Sequence, residues 1–135
     1  MTDPKIDIIT LLEDNWTDDV VPTFSTGWYD AKIKAPQVTV THTTTTPEWV
    51  GFSDNLGSAV RRYRAIYAID VWVTGDQDLR YRHMREVDRI LGQHCQSPGG
   101  NLEFIEPGTW ADLDEAAAHP RLLHSQIRSR VLYYE

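Results

Sequence analysis

The sequence predicts an α+β fold, a mainly antiparallel sheet with two helices packed on one face, in the order α-β-β-β-α-β-β. Three observations predict it. Every second residue is apolar through Tyr63, Ala65, Tyr67, Ile69, Val71 and Val73, the alternation of a strand with one face on a core. The same alternation returns at the far end, where Leu123, Ser125, Ile127, Ser129, Val131 and Tyr133 share one face. After Gly75 the period lengthens: Leu79, Met84, Val87 and Leu91 fall near helical spacing among Arg80, Arg82, Arg85, Glu86, Asp88 and Arg89. The stretch from Val60 to Leu91 is thus a long strand, a tight turn and an amphipathic helix.

At 135 residues the chain is read as a single domain over 1–135, long enough for one packed core, with a protruding loop at about 44–58. The formal charge of −7 argues against wrapping a phosphate backbone. Arginine greatly outnumbers lysine, with lysines only at positions 5, 32 and 34, a bias that suggests a GC-rich or salt-adapted genome. One cysteine, Cys95, excludes an intramolecular disulfide or a cysteine zinc cluster within one chain. No apolar run approaches the ~18 residues of a membrane helix, and Met1 to Thr10 lacks the layout of a signal peptide. A cytoplasmic or virion setting is expected.

In chain order, Asp3-Pro4 starts a first helix, Asp as cap and Pro at the first helical position. Ile6, Ile9, Leu12 and Trp16 are expected to point inward, with Ile8 and Leu11 flanking them. Asp14, Asn15, Asp18 and Asp19 end the helix in an acidic linker. Gly27 to Ile33 reads as a short strand, and Gln37 to Thr43 as a cleaner one, rich in β-branched residues and entered through Pro36. From Thr44 to Ser58 the residues of turns dominate, and Trp49, Val50, Phe52 and Leu56 lie among them. A loop of that length is usually functional. Its apolar side chains must be covered, by its own sheet or by a neighbouring subunit.

The long strand ending at Thr74 and its helix follow, then a stop at Gln96 to Asn101, a short strand at Leu102 to Ile105, and an acidic loop or helical turn from Trp110 to Pro120. The last strand runs from Arg121 to Tyr134. The two long strands are expected at the centre of the sheet, both with arginines on the outer face: Arg62, Arg64, Arg128 and Arg130.

Catalytic patterns are thin. Five histidines form no HExxH or HxH spacing, so no metal site is expected. Asp70, Asp76 and Asp78 offer carboxylates to a two-metal hydrolase or nuclease, yet Asp76 and Asp78 also read as helix-start residues and Asp70 as a partner of Arg62 or Arg64. No GxSxG or phosphate loop is present, and Cys95 reads as buried filler. Arg61, Arg62 and Arg64 with Tyr63 and Tyr67 offer a basic-aromatic face for single-stranded nucleic acid, against the overall acidity. No cofactor and no enzymatic activity are expected.

A resemblance is carried by Ala68-Ile69-Asp70-Val71-Trp72-Val73 and by Arg85-Glu86-Val87-Asp88-Arg89-Ile90-Leu91, joined by a short polar turn. This strand-turn-helix, after an N-terminal helix and a strand pair with a long connecting loop, resembles the tail terminator and tail-completion (head-tail neck) proteins of tailed bacteriophages or archaeal tailed viruses. The resemblance implies a homo-oligomeric ring, usually a hexamer, that caps the tail tube and joins it to the neck. Its partners would be the tail tube protein and neck or connector proteins, with DNA passing through the lumen without specific binding. The expected subunit-interface residues are Trp49, Val50, Phe52, Leu56, Arg62, Arg64, Arg128 and Arg130. The alternatives are a small metal-dependent hydrolase or nuclease, or another head-tail connector component.

Overall fold

The computed structural model describes residues 3–49, 61–114 and 121–134. Its elements are α1 (Pro4–Asn15), β1 (Thr23–Ser25), β2 (Gln37–Trp49), β3 (Arg61–Thr74), α2 (Gln77–Gln93), β4 (Leu102–Glu106), β5 (Trp110–Asp112) and β6 (Leu122–Tyr134). The expected α+β order holds, with β5 as an additional short strand. The sheet runs β1-β2-β3-β6-β4, with β5 also on β6. Every pairing is antiparallel except β1 with β2. The two long strands are central, as their patterns require.

Both helices cover one face of this sheet. Val38, Val40, Ala65, Tyr67, Ile69, Val71, Val73, Ile105, Ile127 and Val131 meet Ile8, Leu12, Val87, Ile90 and Leu91 in one core. The period-2 parity read from the sequence is the parity observed. In α1, however, the buried stripe is Ile8, Ile9, Leu11 and Leu12, and Ile6 is 49% exposed. The helix ends at Asn15, so Trp16 reaches the core from the linker instead, edge-on to Phe24 and His83. In α2 the buried face takes in Arg80, His83 and Glu86, each tied to a neighbouring element. Glu86 accepts from the Thr17 amide and hydroxyl, both at 2.9 Å, fastening the linker after α1 to α2.

Three segments differ from expectation. Residues 27–33 form no strand. Asp30 closes a turn by accepting from the Lys32 amide at 2.9 Å, and the buried Gln37 side chain donates to the carbonyls of Asp30 and Ile33, both at 2.8 Å. Residues 44–49 do not begin the loop. They extend β2 through a bulge between His42 and Thr44, because a run of threonines suits a pleated strand once the bulge restores register. Pro47 is tolerated there because β1 pairs with β2 only at residues 37–39, which leaves the rest of β2 as an edge. Residues 110–112 are a strand on β6 opposite Ser125 to Ile127, rather than a helical turn.

Between β3 and α2, Gly75 adopts a positive φ of 68° and Asp76 caps the helix, accepting from the Leu79 amide at 3.0 Å. Asp78 sits in the first turn, where the dipole favours it. Between β4 and β5, the step at Pro107-Gly108-Thr109 crosses close to β6. A Cβ on Gly108 would collide with the Arg128 carbonyl oxygen.

Candidate functional site

With the helices on one side, the opposite face of the sheet is open, and its rows can be read from the strand register. Gln37, Trp72 and His124 form one row; Thr39, Asp70 and Gln126 the next; then Thr41, Ala68 and Arg128. Thr44, Ile66 and Arg130 follow, and Thr46, Arg64 and Leu132 after them. The first rows and the later ones differ sharply.

At the Trp72 end the face is covered. Trp72 and His124 stack at 3.6 Å with planes 9° apart, and Trp28 stands edge-on to both, at 4.9 and 5.5 Å. Tyr29 adds a tilted contact to Trp72 at 5.1 Å. The segment after β1, held by Gln37, thus lies over the sheet. Beneath the rings Asp70 is fully buried, where its Oδ1 meets His124 Nε2 at 2.6 Å and accepts from Gln126 Nε2 at 2.9 Å. Its Oδ2 has no partner. The Trp72 indole N–H donates to the Thr39 hydroxyl at 3.0 Å. Trp28 keeps 58% of its surface exposed above this cluster.

The expected pairing of Asp70 with Arg62 or Arg64 is therefore replaced. Asp70 lies three register rows from Arg64 and four from Arg62, and β6 supplies nearer partners. Nor do Asp70, Asp76 and Asp78 converge: no group of metal-ligating side chains able to hold an ion occurs among the described residues. The basic-aromatic strand face is corrected by parity. Tyr67 is buried on the helix side, where burial pushes its hydroxyl above its ordinary range, and Tyr63 stacks on Tyr133 at 5.2 Å. Arg62 and Arg64 have the opposite strand parity to both tyrosines.

At the other end the face is bare among the described residues. Arg128 and Arg130 are exposed on β6, and Arg64 is exposed on β3. Arg62 and Arg64 are both engaged in contacts of their own. Arg130 lies 4.0 Å from Glu106, and Arg128 donates to Gln126 Oε1 at a long 3.4 Å. The Pro107–Thr109 step and Ile66 complete a groove of about 480 Å³ between these arginines. Of the expected interface residues, the structure brings Arg62, Arg64, Arg128 and Arg130 onto this one face. Trp49 ends β2 opposite Arg61, and Val50, Phe52 and Leu56 lie outside the described residues.

In the helix layer three of the four arginines of α2 are used internally: Arg80 on Asp114 at 2.6 Å, Arg82 on Asp18 at 2.7 Å, Arg89 on Glu86 at 2.5 Å, while Arg85 lies over the Tyr81 ring. Burial opposes ionisation of Glu86, but hydrogen bonds from Arg89 and Thr17 outweigh it and hold the carboxyl below its ordinary range. Asp114 behaves alike, with burial outweighed by the His124 amide and Arg80.

Alternation puts His124 on this face with Arg128 and Arg130, but sequence reasoning missed Trp28 and Gln37 as parts of it and the pairing of His124 with Asp70. The available signal was the outer face of β3 itself: Ala68 and Trp72 flank Asp70 where a solvated face would carry polar residues, so something had to cover that end.

No family model matches the chain, and no curated protein does. Among solved structures the chain is similar to the sheath/tube terminator of an extracellular contractile injection system, PVC, in its extended state. The TM-score is 0.52 at 12% identity over 100% of this chain. The fold is terminator-like. The chain spans 58% of the neighbour's length, and at that identity the likeness concerns the path of the chain. It reaches from α1 to β6, so the terminator-like fold covers the covered and bare ends of the open face alike.

Proposed function

We propose that this chain is a structural tail terminator subunit of a tailed virus. It forms a homo-oligomeric ring, a hexamer, that caps the tail tube and joins it to the neck. The observation that carries this reading is the match of the whole chain to a sheath/tube terminator fold. The protein acts by geometry rather than by catalysis. Its partners are its own copies, the tube protein and the neck, and DNA passes through the lumen without specific contacts, as suits a chain of net charge −7. It is assembled in the host cytoplasm and resides in the virion.

The bare end of the open face and residues 50–60, which join the paired ends of β2 and β3, are the contact regions. The test is native mass measurement and negative-stain imaging of the full chain, alone and with tube protein. A closed ring that binds tube ends is expected; a monomer at every concentration, with no tube binding, overturns the reading. Replacing residues 50–60 by a tight Asn-Gly turn is expected to prevent ring closure. Unchanged rings would remove that segment from the interface.

A further inference from the structure

We infer that the subunit contact is heterologous, with the arginine-bearing bare end of one copy's sheet face seated on the acidic Glu13–Asp14 end of α1 in the next copy. The inference rests on the ring reading above and adds which surfaces meet. Three observations carry it.

The first is the sidedness of charge. Exposed Arg128 and Arg130 stand on the open face, and among the described residues the only acidic side chain lining their groove is Glu106, 4.0 Å from Arg130. The second is the state of the opposite layer. Arg80, Arg82 and Arg89 are already committed to Asp114, Asp18 and Glu86, and Arg85 lies over the Tyr81 ring of its own helix, whereas the exposed Glu13 and Asp14 form no ion pair among the described residues. They also occupy the last turn of α1, which holds no basic residue. The carbonyl end of a helix disfavours carboxylates, so these two gain from an arginine supplied from outside. The third is placement. α1 packs on β1 and β2, whereas Arg128 and Arg130 are on β6 at the other side of the sheet and on its other face.

A twofold contact would set the arginine face against itself and repel. Two different, complementary patches on opposite sides of one molecule make a head-to-tail contact, which closes into a ring when its rotation permits. The groove between Ile66, Pro107 and the two arginines receives the Glu13–Asp14 corner, where each guanidinium meets a carboxylate as it leaves water.

The test uses two full-length charge reversals, Arg128→Glu/Arg130→Glu and Glu13→Lys/Asp14→Lys, with circular dichroism confirming that each is folded. Each alone is expected to lose the ring by native mass. Mixed in equal amounts they regain it as alternating assemblies with even subunit numbers, because each reversed patch then meets its reversed complement. Wild-type rings dissociate as salt is raised. Wild type that stays monomeric overturns the ring reading itself. Rings from wild type and from both variants alone overturn only the pairing of these surfaces. An Arg128→Glu/Arg130→Glu ring that no longer binds tube ends would assign the groove to the tube protein, and likewise overturn the inference.

Discussion

The two ends of the open sheet face are built on the same three strands with the same parity, yet one is a packed aromatic cluster and the other a bare cationic groove. At the Trp72 end, a segment pinned by Gln37 lays Trp28 and Tyr29 over Trp72 and His124 and encloses Asp70. At the Arg130 end no described segment crosses the face, and arginines line the groove. The difference teaches that strand alternation assigns a residue to a side of the sheet, while a connecting segment decides whether that side is wet. One end contributes to the stability of the subunit, and the other leaves Arg64, Arg128 and Arg130 exposed.

The comparison is broken most severely by Trp72→Ala. Removing a ring that touches His124, Trp28 and Tyr29 and releases the Thr39 hydroxyl is expected to cost about 3–5 kcal/mol, measured by urea denaturation. A loss below 1 kcal/mol would mean the covered end is not a second core. Gly108→Ala acts on the boundary of the groove, where the new methyl meets the Arg128 carbonyl. A cost of about 1–3 kcal/mol is expected, with faster amide exchange in β5 as the step lifts from β6.

Asp114→Asn sharpens the contrast through pH. Asp114 accepts from the His124 amide at 2.8 Å and from Arg80, and its carboxyl is held below the ordinary range. A depressed folded pKa means the unfolded chain takes up the proton first. The contribution is therefore complete above about pH 4 and is lost as pH falls through the carboxylate range. The variant is expected to be about 1 kcal/mol less stable at pH 7, with the gap closing towards pH 3. A gap independent of pH would refute the assignment. The smallest effect belongs to the bare end. Arg130→Gln, on a side chain with 66% exposure, is expected to change subunit stability by less than about 0.5 kcal/mol. A larger loss would show that this end holds the subunit itself together.

Much of the fold was legible because it depends on period and local chemistry. The parity of β3 and β6, the cap at Asp76 and the turn at Gly75 are all properties of neighbouring residues. The α1 stripe was misplaced because Ile6, Ile8, Ile9, Leu11 and Leu12 fit two overlapping helical faces, and the choice between them belongs to the sheet beneath. The Asp70–His124 pair was not legible, since its members lie 54 residues apart and meet only through strand register. The covering role of Trp28 depends on a loop whose course is set by Gln37, which local pattern does not reveal. The four arginines, by contrast, were placed on one face by alternation alone, and the structure gathers them there.

The crossing at Gly108 has one more consequence. By dividing the chain beside β6 into β4 and β5, it interrupts that border of the sheet. The far border is interrupted too, by a β1 of three residues and by Pro47 without an amide hydrogen. Among the described residues, the free edge of β2 is broken by the bulge between His42 and Thr44 and by Pro47, which makes it a poorer template for a stray strand. The sheet that carries the exposed arginines is thereby less open to adding strands at its borders than its long central strands would suggest.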